Sequence, residues 1–181
     1  TLDPAAPNYK NWYAYYHLGV LEYRKGNDED ARKMYEKSLE LCENAWALHG
    51  ISCLWLDKGN KNLAALYIQR GMELQRNSLS YQKEGLKILS QCEAYKEMLK
   101  QYEEMKEEFQ ETGRVQYYHI LGLVKEGKLQ EADKLLNSEE GITVDDIREG
   151  EDNLQDLWEI LNHELYQGER KLPYRYEFHA N

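Results

Sequence analysis

His163-Glu164 is the pair in this chain nearest to a catalytic motif, because His-Glu-x-x-His puts two imidazoles on one side of a helix to hold zinc, with the glutamate as base. The second histidine position is Gln167, so the motif fails and His163 is expected on a helix surface. The segment 139–152 carries seven carboxylates, one arginine and two glycines. Calcium loops need oxygen ligands at alternating positions around a turn-forming glycine, and that D-x-D-x-D-G spacing is missing. Cys42, Cys53 and Cys92 are odd in number and far apart, and each lies in an apolar helical pattern. They are expected to be small core residues, since zinc sites use close pairs. There is no G-x-S-x-G, no glycine-rich phosphate loop and no close Cys/His pair. The residues that do chemistry elsewhere therefore nominate no catalyst, metal or cofactor here, and the chain is expected not to be an enzyme.

The elements that hold these residues are helical in pattern. Of 181 residues, 41% are hydrophobic and 31% charged, which suits solvated helix faces around an apolar core. Only three prolines occur, leaving the interior free for helix. A formal net charge of -10 argues against nucleic acid, whose phosphates need a basic surface. No run of eighteen apolar residues is present, so no transmembrane helix is expected. The cysteine usage points to a reducing, cytoplasmic setting.

Residues 18–41 read as two short helices folded back at Gly26-Asn27, and the unit repeats. Ala31, Ala64, Met98 and Ala132 are spaced by 33, 34 and 34 residues, each followed four positions on by Tyr35, Ile68, Tyr102 and Leu136. The turn position holds Gly26, Gly59, Glu93 and Gly127, glycine being suited to the left-handed end of a helix. Glu93, Met98 and Met105 make the third unit the irregular one, with thioethers expected to fill a wider gap. Leu18-Gly19, Gly26, Ala31, Tyr35 and Ser38 together resemble the tetratricopeptide repeat. The resemblance implies an all-α, right-handed superhelical solenoid of antiparallel helix pairs.

In chain order, residues 1–11 are expected to be a linker or the end of a preceding repeat. Thr1-Leu2-Asp3-Pro4 is similar to the end of a tetratricopeptide helix, which would make the chain a fragment. Four helical pairs follow over residues 12–138: 12–25 with 28–42, 45–58 with 61–75, 80–91 with 94–111, and 115 to about 137. Asn27 and Asn60 are expected to cap the second helices by their side chains, and Trp55 to be core. Residues 139–181 are expected to form an acidic loop, a capping helix and an extended tail. Thr143 and Asp146 have capping-box spacing. Leu154, Leu157, Trp158, Leu161 and Leu165 form one apolar stripe that would close the exposed end of the repeats. The tail alternates Tyr174, Tyr176 and Phe178 with polar residues after Pro173, as an extended segment laid on a surface would.

In tetratricopeptide arrays the first helix of each pair lines a concave groove. The resemblance therefore implies a partner-binding face with Tyr13, Tyr16, Val20 and Tyr23 in one row and Trp46, His49, Cys53 and Leu56 in the next. The third row is Ser80, Lys83, Lys87 and Ser90, and the fourth is Arg114, Tyr117, Leu121 and Val124. Aromatic rings beside cations suit a peptide or a sugar, although the same rings would also suit packing against a neighbouring repeat or a tail. The chaperone-binding subgroup of the family clamps a terminal carboxylate with Lys and Asn on its inner helices. Tyr16 and Val20 stand there instead, while Lys83 and Lys87 would still attract an acidic peptide. REGEDNLQDLW with LPYRYEF also resembles the C-terminal part of large bacterial proteins in which such repeats follow a domain of unknown function. Two functions follow: a non-catalytic scaffold binding a protein or peptide in its groove, or the accessory repeat region of a larger bacterial, carbohydrate-active enzyme.

Overall fold

In the computed structural model, residues 9–138, 142, 154–173 and 176 are described. Among them are ten α-helices and no strand: α1 (Tyr9–Arg24), α2 (Asp28–Leu41), α3 (Ala45–Asp57), α4 (Lys61–Leu74), α5 (Leu79–Gln91), α6 (Tyr95–Glu103), α7 (Glu107–Gln110), α8 (Gly113–Lys125), α9 (Leu129–Leu136) and α10 (Leu154–Tyr166). None of these helices is long and apolar enough to cross a membrane. Two compact units divide the chain at Ala94/Tyr95. The expected all-α helical repeat is the fold. Helix begins at Tyr9, inside the expected linker, and the expected loop and capping box over 139–152 lie outside the described residues apart from Ile142.

The repeat is most regular at its turns. Gly26, Gly59, Glu93 and Gly127 take φ values of 78°, 74°, 58° and 76°. The following N–H donates five residues back, from Asn27 to the Glu22 carbonyl (3.0 Å), Asn60 to Trp55 (2.8 Å), Ala94 to Leu89 (2.9 Å) and Lys128 to Leu123 (2.8 Å). These bonds satisfy carbonyls that a helix end leaves open. Glu93 thus occupies a glycine conformation with an L side chain, while its carboxylate meets Lys61 in an exposed ion pair. An L residue in this region costs about 1–2 kcal/mol. Gly59→Ala is accordingly expected to lower stability by about 1–2 kcal/mol, whereas Glu93→Gly is expected not to lower it, as urea denaturation would measure.

At the expected caps the two asparagines differ. Asn60 accepts from the Leu63 N–H through its side chain (3.2 Å). Asn27 makes no such bond, because its Nδ2 donates to Glu22 Oε2 at 2.7 Å. Asp28, Glu29 and Asp30 in the first turn still oppose the helix dipole.

Unit 1 is held by rings and small residues. Ala31 and Tyr35 of α2 pack with Ala47, Ile51 and Leu54 of α3, and Trp55 is only partly buried at the margin of this cluster. A Cβ at Gly19 would stand 2.6 Å from the Tyr35 ring, and one at Gly50 would stand 2.5 Å from it. Tyr35 is therefore a wedge between α1 and α3 that fits because both neighbours lack a side chain. Beside it, buried Ser38 donates to the Trp12 carbonyl (2.8 Å) and accepts from Asn44 Nδ2 (3.1 Å). Asn44 Oδ1 caps α3 at the Ala47 N–H (2.9 Å), so one buried polar network fixes how three helices meet.

Unit 2 begins with the second half of the irregular repeat. Met98 is fully buried, and a Cβ at Gly122 of α8 would lie 2.9 Å from Leu99 Cδ2 and 3.1 Å from Met98 Cε. The small residue is supplied by the opposite helix, so the thioether fills a close approach and not a wide gap. The single helix expected over 94–111 is broken into α6 and α7. Lys106 is extended (φ -63°, ψ 143°), Gln110 Nε2 donates to the Tyr102 carbonyl (2.7 Å) and Phe109 is buried. Burial of Phe109 overrides the helix propensity of the Lys/Glu run. α10 lies on α9 and α8 with Leu154, Leu157, Trp158 and Leu161 buried, and Trp158 Nε1 donates to Asn137 Oδ1 (3.1 Å). Arg170 continues past it, meeting Asp133 at 3.2 Å and lying 4.2 Å from the Tyr166 ring centre. Of the tail residues, Tyr176 is buried and donates its hydroxyl to the Leu136 carbonyl, while Tyr174 and Phe178 lie outside the described residues.

Candidate binding groove

Within unit 1, a groove of about 360 Å³ is lined by Tyr16 of α1, Trp46 and His49 of α3, Gln75 and Ser78 of the connection between α4 and α5, and Ser80, Tyr81 and Glu84 of α5. Each ring is held from outside the groove. Trp46, 43% exposed, stacks on buried Trp12 with ring centres 5.8 Å apart and planes 23° apart. Tyr16 leans on Tyr35 (6.2 Å). The Tyr81 hydroxyl donates to the Ala45 carbonyl (2.8 Å), and a Cβ at Gly71 would collide with that hydroxyl. Rings fixed in this way lose little entropy when a ligand settles on them.

The polar side of the groove is the pair His49 and Glu84. His49 Nε2 lies 3.6 Å from Glu84 Oε1, its ring nitrogens are 3.9 Å from Cys53 Sγ, and its ring stands edge-on to Tyr81 at 6.3 Å. Burial opposes charge on His49, but its contacts with Cys53 and Glu84 outweigh burial and raise its pKa to about 10. Burial also raises the Tyr81 and Tyr16 hydroxyls, so both stay protonated at neutral pH.

Of the residues expected in the four rows, Tyr16, Trp46, His49 and Ser80 come together here. Tyr13 is exposed beside Tyr16 (6.4 Å) and edge-on to His17 (4.3 Å). Tyr23 donates its hydroxyl to Asp57 Oδ2 (2.5 Å), and Val20 packs against the core. Lys83 and Lys87 are half-buried on α5 and are not lining residues. Arg114 and Tyr117 belong to α8 in unit 2, where Tyr117 is buried edge-on to Tyr118 (5.3 Å).

Gln75, Ser78, Tyr81 and Glu84 were not marked by spacing. One residue along a helix is about 100° of rotation, so Tyr81 and Glu84 fall on one flank of the Ser80 line and Lys83 and Lys87 on the other. The signal for them is the Ser78 cap, whose side chain accepts from the Tyr81 N–H and fixes where α5 starts.

No curated protein matches this chain. Residues 12–45, which hold most of α1, all of α2 and the Asn44 cap of α3, match the tetratricopeptide repeat family, whose repeats generally mediate contacts with other proteins.

Proposed function

We propose that unit 1 is a non-catalytic binding module that takes an extended peptide segment of a protein partner along the groove between α1, α3 and α5. The observation that carries this reading is the convergence of three anchored rings, Tyr16, Trp46 and Tyr81, from three successive odd-numbered helices onto one open groove. Aromatic anchors in such a setting contribute most of the binding energy of a peptide interface. Selection from a displayed peptide library tests it. Trp46→Ala is expected to weaken the recovered peptides by at least about 30-fold, the effect of a loss near 2 kcal/mol. Equal binding by wild type and variant would count against the groove.

A second reading, accessory repeat region of a larger carbohydrate-active bacterial enzyme, draws support from α1, where Leu18 and Leu21 are exposed one turn apart. A neighbouring domain would cover that face. In this case Leu18→Ser/Leu21→Ser disrupts the contact while peptide capture is unchanged.

A further inference from the structure

We infer that the exposed face of α1 seats an amphipathic helix of a partner protein, one with an acidic first turn and a small residue followed four positions on by leucine or isoleucine. The inference does not rest on the groove, and it goes beyond the second reading by giving that face a ligand of stated chemistry.

The repeat itself supplies the template. The turn glycines Gly26 and Gly59 are 33 residues apart, so Ala14, Leu18 and Leu21 of α1 are the counterparts of Ala47, Ile51 and Leu54 of α3. On α3 none of these three is more than 2% exposed, because they pack with Ala31 and Tyr35 of α2. On α1 the same stripe is open: Ala14 is exposed, Leu18 is 43% exposed and Leu21 is 50% exposed. Spacings of four and three keep the three residues on one side of the helix. The face of α1 thus repeats the pattern of a face that already takes a helix.

Two differences between the faces define the occupant. The first is charge. α2 enters its seat with Asp28, Glu29 and Asp30 in the first turn, and the Glu29 carboxyl, held low chiefly by Arg32, also feels Lys58 at the end of α3. Lys25 is the counterpart of Lys58, and Arg24 stands beside it. Among residues 11–25 the exposed side chains with a formal charge are these two cations, a basic end on a chain whose net charge is -10. Lys25 also meets Glu22 at 2.7 Å, but an ammonium has three N–H donors and can take a second carboxylate. A helix lying on α1 as α2 lies on α3 brings its first turn to this end, where carboxylates are favoured.

The second difference is shape. Gly50 lets the Tyr35 ring lie where a Cβ would be 2.5 Å away. Its counterpart on α1 is His17, an exposed ring edge-on to Tyr13 (4.3 Å) and Tyr16 (5.0 Å). An aromatic wedge has no room beside that imidazole, whereas a shorter aliphatic side chain does. The chain makes the same exchange one repeat later: Glu84 stands where α3 has Gly50, and buried Ile68 stands where α2 has Tyr35.

The test uses labelled peptides of residues 27–42, each locked as a helix by a lactam on its outer face, because isolated helices of this length are marginal. They are titrated with the full chain by fluorescence anisotropy, and the Leu18 and Leu21 methyl resonances locate the contact. The Tyr35→Leu peptide is expected to bind about tenfold more tightly than the same peptide carrying Asp28→Asn, Glu29→Gln and Asp30→Asn. It is expected to bind a few-fold more tightly than the peptide that keeps Tyr35, and His17→Gly in the protein is expected to reverse that order. Leu18→Ser/Leu21→Ser is expected to weaken binding by at least about 30-fold while capture of the library peptides is unchanged. Silent Leu18 and Leu21 methyls, equal binding of the acidic and amide peptides, or an unreversed order in His17→Gly would overturn the inference. So would a wild-type dimer that Leu18→Ser/Leu21→Ser dissolves in sedimentation, because the face then belongs to a second copy. Each of these results leaves the groove reading in place, and failure of the library peptides alone removes the groove and not the helix seat.

Discussion

Tyr35→Ala is expected to lower the unfolding free energy by about 3–5 kcal/mol, the loss usual for an aromatic side chain removed from a packed core. Tyr35 is almost wholly buried and fills the space left by Gly19 on one side and Gly50 on the other. Neither wall can move inward, because each glycine is part of a helix fixed by other contacts. The vacated space then stays open, and the cost falls toward the upper end of the range. The converse change is informative as well. Gly50→Ala puts a methyl group 2.5 Å from the ring, which cannot retreat toward Gly19. A loss of about 1–3 kcal/mol is expected from overpacking. Urea denaturation followed by helical circular dichroism measures both, and a near-neutral Tyr35→Ala would show that the wedge is not what joins α1 to α3.

Deleting residues 152–181 is expected to have the second large effect, a marked fall in the melting temperature or loss of solubility. Leu154, Leu157, Trp158 and Leu161 are all buried, and at about 1.5–3 kcal/mol each they contribute roughly 6–12 kcal/mol before the entropy of ordering is subtracted. The deletion also strips Arg170 from Asp133 and the Tyr176 hydroxyl from the Leu136 carbonyl. What remains is an apolar surface on α8 and α9 exposed to water. Trp158→Ala alone is expected to reproduce about 3–5 kcal/mol of this. His163→Ala on the exposed side of the same helix is expected to change stability by less than about 0.5 kcal/mol. A melting temperature unmoved by the deletion would remove α10 from the fold.

Much of this architecture is legible in the residues. Gly26, Gly59 and Gly127 mark turns because few other residues take a left-handed backbone cheaply, and the spacing alone assigns Glu93 to the same conformation. The stripe from Leu154 to Leu161 announces a helix that must bury one side. What spacing does not reveal is set by contacts distant in sequence. The break between α6 and α7 follows from the burial of Phe109 within a run of good helix formers. Asn27 turns from capping to Glu22 because two polar partners compete for one side chain. In the groove, a row at three-four-three spacing marks one line along each helix. A groove between helices is lined by flanks, so Tyr81 and Glu84 are found only once α3 and α5 stand side by side.

The order of packing has a kinetic consequence. Within each unit the helices pack chiefly on near neighbours in the chain: α1 on α2, α2 on α3, α3 on α4, α4 on α5, then α6 on α8, α8 on α9 and α9 on α10. Closing such hairpins loses little chain entropy, and domains built this way fold in roughly microseconds to milliseconds. During synthesis, at about 5–20 residues per second, each hairpin has time to form before the next has left the ribosome. Assembly can thus follow the direction of translation, one pair of helices serving as the template for the pair that comes after it.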